Sequence, residues 1–307
     1  HLYTIYKLNR KDFIKQASLL AAGSALAPLH TFGQDRDRLV ILHTNDWHSH
    51  IEPFAKDHKR YPAQGGAARR ATLVKQIRQE YKNVLLLDSG DIFQGTPYFN
   101  YYGGELEFKL MSEMGYDYAT LGNHDFDGGI DGLVKQLPHA NFSFLNANYD
   151  FKNTKLQGKI KPYSIVQKGK FKIGVFGVGI ELNGLVPKKL FGGITYNDPI
   201  KIANEVAAEL RKKGCNLIIC LSHLGFNYKS NKVSDKVLAK MSSNIDLILG
   251  GHTHTFLSSP QPIFNQNGRE IFINQTGWAG INLGRVDYET NNAKTATLHG
   301  SNMLNIS

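Results

Sequence analysis

The sequence predicts an α/β domain whose sheets are covered on both faces, and two observations carry that expectation. First, its apolar runs are continuous: Leu39-Val40-Ile41-Leu42, Val84-Leu85-Leu86-Leu87 and Leu217-Ile218-Ile219-Cys220-Leu221. Side chains alternate across a strand, so a run that is apolar at every position needs apolar cover above and below. Second, the stretches between these runs repeat their apolar residues at helical spacing, so strands and helices alternate along the chain. No linker-like composition interrupts the pattern after residue 38, which predicts one domain over 39–307.

The elements follow in order. Strand 39–42 precedes a helix near 65–81, with Ala68, Ala71, Val74, Ile77 and Tyr81 on one stripe. Strand 84–87 comes next, then a helical stretch near 104–114 and the run Tyr118-Ala119-Thr120-Leu121. A short helix near 129–137 leads to strand 142–145. Residues 160–178 read as a hairpin that turns at Lys168-Gly169-Lys170 and returns through the apolar strand 171–178. Ile202, Ala203, Val206, Ala207 and Leu210 form a helix stripe before strand 217–221, and a helix near 232–242 precedes strand 245–249. Two late strands, 271–273 and 283–288, close the pattern.

Composition narrows the class. With 41% hydrophobic residues, 11% aromatics and 30 glycines, the chain is neither fibrous nor disordered. Its only cysteines, Cys215 and Cys220, exclude a disulfide framework, and the setting of Cys220 in an apolar run predicts a small buried hydrophobe. The formal charge of +10 is spread along the chain, with mixed runs such as Lys56-Asp57-His58-Lys59-Arg60, and this pattern argues against a nucleic-acid partner. Near the N-terminus, Asn9-Arg10-Lys11-Asp12-Phe13-Ile14-Lys15 is a basic head before the small apolar run 17–27. It predicts an export signal over 1–33, similar to a twin-arginine signal with Lys11 in place of the second arginine, and therefore an exported, periplasmic protein. The run is shorter than the roughly 20 residues a bilayer requires, so no stable membrane span is expected.

Five polar clusters stand just after apolar runs: Asp46 with His48, Asp91, Asn123 with His124 and Asp127, His223, and His252 with His254. Chemistry-bearing residues at successive strand ends predict one site assembled by the fold, and carboxylates with imidazoles are divalent-metal ligands. The spacing of two between Asp46 and His48 aims both side chains to one side of an extended segment. Gly90 before Asp91, and Gly250-Gly251 before His252-Thr253-His254, let backbone approach where larger residues would crowd the ligands. A carboxylate such as Asp91 can bridge two cations, which an imidazole cannot. His124 and Asp127 fall on one helical turn, where the carboxylate orients the imidazole and favours its cationic form.

Together Asp46-x-His48, Gly90-Asp91, Gly122-Asn123-His124-Asp125-Phe126-Asp127, His223 and Gly251-His252-Thr253-His254 resemble the calcineurin-like metallophosphoesterases, in the family's order over about residues 39–290. Within them the pattern is similar to the catalytic domain of secreted bacterial 5′-nucleotidases. The resemblance implies an α-β-β-α metallophosphatase sandwich of two sheets, with a dimetal site at the C-terminal ends of the strands. It implies that Asp46, His48, Asp91 and His254 hold one divalent ion, and Asp91, Asn123, His223 and His252 the other. Asn123 and His124 would contact substrate, with His124 and Asp127 as the catalytic pair. Related nucleotidases can carry glutamine where His254 stands, which leaves the metals open among manganese, zinc, iron and cobalt.

The implied reaction is phosphoester hydrolysis of a small molecule, a nucleotide in the first instance, by in-line attack of a water activated by the two ions. The nucleotidases continue into a second domain that clamps the base, which is expected to be absent from this chain. A separate polypeptide carrying that domain is therefore one partner the pattern allows. A broad phosphomonoesterase or phosphodiesterase, a thiosulfohydrolase-like enzyme, and a non-catalytic binding protein on the same fold are the alternatives.

Overall fold

The computed structural model describes residues 37–290 and 295–307. The expected export signal lies outside the described residues. Asp37–Ser307 form one compact unit.

Two six-stranded sheets make up the body. In the first, strands β1 (Asp37–Thr44), β2 (Val84–Asp88), β3 (Tyr118–Ala119) and β4 (Ser143–Phe144) run parallel. The other side of β1 pairs antiparallel with β13 (Asn282–Thr290), which pairs with β14 (Thr297–Asn305). A two-stranded ribbon joins β5 (Tyr149–Asp150) to β8 (Thr195–Tyr196). The second large sheet has parallel strands β7 (Phe171–Gly179), β9 (Leu217–His223), β10 (Leu247–Gly250) and β12 (Glu270–Asn274). Antiparallel β6 (Tyr163–Lys168) and β11 (Gln261–Phe264) form its edges.

The continuous apolar runs are explained by three hydrophobic layers. Leu39, Ile41, Leu85 and Leu87 of one sheet pack between the sheets with Ile173, Val175, Leu217, Ile219, Leu247 and Leu249 of the other. The alternate residues Val40, Leu42 and Leu86 face outward onto helices α1 (Ala67–Glu80), α3 (Glu105–Met114) and α4 (Gly129–Gln136), where they meet Val74, Ile77, Phe108, Met111 and Leu133. On the far side, Phe176, Val178, Ile218 and Ile248 face α6 (Pro199–Lys212) and α7 (Asp235–Met241) through Ala203, Val206, Leu210 and Leu238. Neighbours such as Leu39 and Val40 thus serve different layers, the period-two geometry of a strand buried on both faces. The order is α-β-β-α, as the resemblance implied. Two further short helices, α2 (Pro97–Tyr102) and α5 (Lys188–Phe191), lie in loops.

Local chemistry sets the helix limits. Asp198 caps α6 by accepting from the amides of Ile200 (2.8 Å) and Lys201 (3.3 Å), Pro199 opens the first turn, and Arg211 and Lys212 complement the dipole at its end. In α1 the expected stripe is shifted: Ala68 is exposed, and Arg70 is buried with Ala67, Val74 and Ile77. The Arg70 guanidinium lies over the Trp47 ring, 4.1 Å from its centroid, which gives a charged residue an aromatic partner inside the core. Strands β11 and β14 were not expected from the sequence. Both are edge strands with about half their residues exposed, so neither carries a continuous apolar run.

Candidate metal centre

The five clusters converge at the carboxyl ends of strands from both large sheets. Asp46 and His48 lie in the loop after β1, Asp91 in that after β2, Asn123, His124 and Asp127 in that after β3, while His223 ends β9 and His252 and His254 follow β10. Two groups form, Asp46 with His48 and His254, and Asp91 with His223 and His252, each with candidate ligand atoms within 4.8 Å of one another.

In the first group, His48 Nε2 faces His254 Nε2 at 3.0 Å, and Asp46 Oδ1 lies 3.3 Å from His254 Nε2 and 3.9 Å from His48 Nε2. In the second, His223 Nε2 is 3.0 Å from Asp91 Oδ2, and His252 Nδ1 is 2.8 Å from Asn123 Oδ1. Asp91 Oδ2 is also 3.9 Å from His48 Nε2, so this one carboxylate faces an imidazole of each group.

Three observations fit a divalent cation in each group. The Nδ1 atoms of His48 and His223 point at carbonyl oxygens, of Phe93 and Gln94 (3.3 and 3.2 Å) and of Ser89 (2.6 Å). A carbonyl only accepts, so Nδ1 carries the proton and the inward Nε2 of the neutral ring keeps a lone pair. His223 Nε2 is fully buried and has no hydrogen-bond partner among the described residues, despite its nearness to Asp91. Finally, separations of 3.0–3.3 Å between donors match the edges of a coordination shell with bonds of about 2.1 Å.

Electrostatics agrees. Burial lowers the pKa of His48, and burial followed by the nearby His223 lowers that of His252 to about 4, so both rings are neutral at pH 7, as ligands must be. Burial pulls His223 down as well, but the charge of Asp91, then of Asp46, pushes it up to about 10. Burial works against the Asp91 carboxylate, yet His223, then His48 and His124, hold it well below the usual range. The second group therefore demands positive charge, which a proton or a cation can answer.

The backbone is strained to achieve this convergence. Asp46, His48, Asp91, His252 and His254 all have φ between 50° and 72°, the left-handed region. That conformation costs about 1 kcal/mol or more per residue and persists where surrounding structure over-determines it. Here the loops after β1 and β2 are laced together: Asp46 N donates to Gly90 O (2.9 Å), His48 N to Asp91 O (3.0 Å) and Ser49 N to Ile92 O (3.0 Å). The expectation of an extended Asp46–His48 segment is thus corrected, since two left-handed residues turn the chain so that both side chains reach the first group. Glycine is required at 122, where a Cβ would lie 2.1 Å from Asp91 Oδ1, and at 251, where it would meet His223 Nδ1 at 2.9 Å.

His124 and Asp127 flank the cluster. His124 Nδ1 is 2.8 Å from Asp127 Oδ2, its amide donates to Asp91 Oδ1 (2.8 Å), and its ring centroid is 5.2 Å from that of His48. The hydrogen bond to Asp127 raises the His124 pKa above its ordinary value, against the opposing effect of burial.

Sequence reasoning gave no role to three positioning residues. Asp125 accepts from the amides of Asp91 (3.0 Å), Ile92 (2.9 Å), Phe93 (3.3 Å) and Gly122 (2.7 Å), tying the loop of Asp91 to that of Asn123. Asn45 donates to Asp46 Oδ2 (2.6 Å) and accepts from Thr276, so it aims the Asp46 carboxylate. Trp278 stacks parallel to His254 at 5.5 Å. Asn45 and Asp125 adjoin the clusters and could have been flagged for that. Asp88 accepts from Gly90 N (2.9 Å) and Thr44 Oγ1 (2.6 Å) and is not a member of either group.

Residues 39–256 match the family described as calcineurin-like phosphoesterase. The chain is 37% identical over 231 residues to the snake venom 5′-nucleotidase of Crotalus adamanteus, covering 73% of this chain and 38% of that protein. It is 35% identical over 314 residues to the 5′-nucleotidase of Vibrio cholerae, covering 92% and 54% respectively. Among solved structures, the 5′-nucleotidase precursor of Thermus thermophilus superposes with a TM-score of 0.79 at 32% identity, over 88% of this chain and 54% of that one. The chain thus spans about half the length, or less, of these relatives.

Proposed function

The chain belongs to the calcineurin-like phosphoesterase family, and from that footing we propose that it hydrolyses phosphoesters of small molecules, with nucleotides as the substrate class. The observation that carries this reading is Asp91, one buried carboxylate facing the imidazoles of two separate ligand groups. We assign Asp46, His48, Asp91 and His254 to one cation and Asp91, Asn123, His223 and His252 to the other. The donors are nitrogen and oxygen only, a set that suits manganese, zinc, iron or cobalt.

Two divalent ions held by these residues would supply charge for the phosphoryl oxygens and lower the pKa of nearby water. The chain's own residues do the rest. The Asn123 amide and the His124 ring border the centre and receive the phosphoryl group. His124, whose cationic form the Asp127 hydrogen bond favours, stabilises the developing negative charge and gives its proton to the leaving oxygen. The left-handed loops and the amide cradle of Asp125 hold the ligands in place beforehand, so the reaction requires little reorganisation. Residues 1–33 we assign as an export signal and the destination as the periplasm; among the described residues no helix is long and apolar enough to cross a membrane.

The test is a hydrolysis panel on the metal-loaded chain: a chromogenic monoester, a chromogenic diester, AMP and 2′,3′-cyclic AMP. AMP is expected to be turned over fastest. Diester rates above the AMP rate would move the substrate class to diesters, and no turnover of any compound would remove the hydrolase reading.

A further inference from the structure

At the last rung shared by β9 and β10, Ser222 pairs with Gly250. The residues that follow lead into the second ligand group, His223 directly and His252 through Gly251. Side chains alternate along β9, so Ser222 points away from His223 and, like Cys220, outward to the helices. There Asp235, the first residue of α7, meets it. Ser222 Oγ donates to Asp235 Oδ1 at 2.5 Å, and a Cβ at Gly250 would lie 2.1 Å from Asp235 Oδ2. One carboxyl group thus spans the rung, hydrogen-bonded to β9 and seated against β10.

Asp235 is fully buried, and its Oδ2 has no hydrogen-bond partner among the described residues. A buried oxygen without a partner opposes folding, so stability alone gives no reason for an acid at this position. Its surroundings give another. Asp235 N donates to Gly225 O (2.8 Å) and Leu224 N to Ser222 Oγ (3.3 Å), which closes the loop after β9 onto the start of α7. Phe226 N, in the same loop, donates to Thr253 Oγ1 (2.9 Å), between His252 and His254. On the other flank of β10, Gln275 after β12 donates from Nε2 to Gly251 O (2.6 Å). The segment of His252 is therefore held from both sides, and Asp235 is the side chain that joins it to the strand of His223.

We infer that Asp235 is a positioning residue for the second cation site, its carboxyl fixing the strand ends of His223 and His252 relative to each other. The inference rests on the two-cation reading above. Asp235 belongs to neither ligand group and acts through Ser222 and Gly250. Its removal therefore weakens the ion held by His223 and His252 and spares the one held by His48 and His254.

The experiment is equilibrium dialysis of the chain against manganese for wild type, Asp235→Ala, Asp235→Asn and Ser222→Ala. His252→Ala and His254→Ala mark which binding step belongs to which group. Asp235→Ala is expected to weaken the step lost in His252→Ala by about tenfold or more, and the step lost in His254→Ala by less than about threefold. Asparagine keeps an oxygen for Ser222 and the shape against Gly250. Burial pushes the Asp235 pKa up to about 8, so asparagine also matches the neutral acid, and Asp235→Asn should come within about threefold of wild type. Ser222→Ala keeps the carboxyl but cuts its bond to β9; it should weaken the same step, and it carries the test if Asp235→Ala does not fold. Equal weakening of both steps, wild-type affinity at both steps in the alanine variants, or Asp235→Asn as weak as Asp235→Ala overturns the positioning role. Any of these with two ions held by wild type leaves the two-cation reading standing, whereas wild type that holds none refutes that reading and this role with it.

Discussion

Asp125→Asn should be far more damaging than its single-atom change suggests. In the wild type, Oδ2 accepts from the amides of Asp91 and Gly122, and Oδ1 from those of Ile92 and Phe93, all out of solvent. An asparagine keeps one oxygen, and whichever way the amide is turned its NH2 faces two backbone N–H groups. Two bonds to a buried carboxylate are lost and two donors are left unpaired, at roughly 1.5–3 kcal/mol for each such bond. The expected destabilisation is about 3 kcal/mol or more, read as a shift of the urea midpoint at unchanged slope. Because these amides hold the loop of Asp91, metal affinity should fall as well. A variant within about 0.5 kcal/mol of wild type, with wild-type metal binding, would refute the positioning role of Asp125.

Gly122→Ala puts a carbon 2.1 Å from Asp91 Oδ1, so the carboxylate we assign to both cation sites must move and metal content should drop at both groups; full occupancy would show that Asp91 has room to shift. His124→Ala should keep its metals yet lose on the order of 10²–10⁴-fold in kcat, and metal loss measured in that variant would make His124 a ligand. Asp127→Asn removes the main influence that raises the His124 pKa, so the alkaline limb of the kcat profile should move to lower pH. An unmoved limb would dissociate His124 from the proton step.

The layered fold was legible because strands buried on both faces announce themselves by unbroken apolar runs, as in 84–87 and 217–221. Edge strands β11 and β14 gave no such signal, since one side of each is wet. The clustered Asp and His residues were readable as a site because their types follow strand ends. The left-handed backbone of Asp46 and His48 was not readable, because it is imposed by hydrogen bonds from a loop more than forty residues away. Asp125 escaped for the same reason: its role exists only once four amides from two loops meet it. Nothing in the pattern marked Arg70 for the core, where its guanidinium lies over the Trp47 ring.

The claim on which everything depends is that Asp91 joins two cation sites. Equilibrium dialysis against manganese, with metal content measured per chain, tests it most directly in wild type and Asp91→Ala. The structure predicts two ions per wild-type chain and weakened binding at both sites in the variant. Two ions held by Asp91→Ala at wild-type affinity, or none held by wild type, would contradict it.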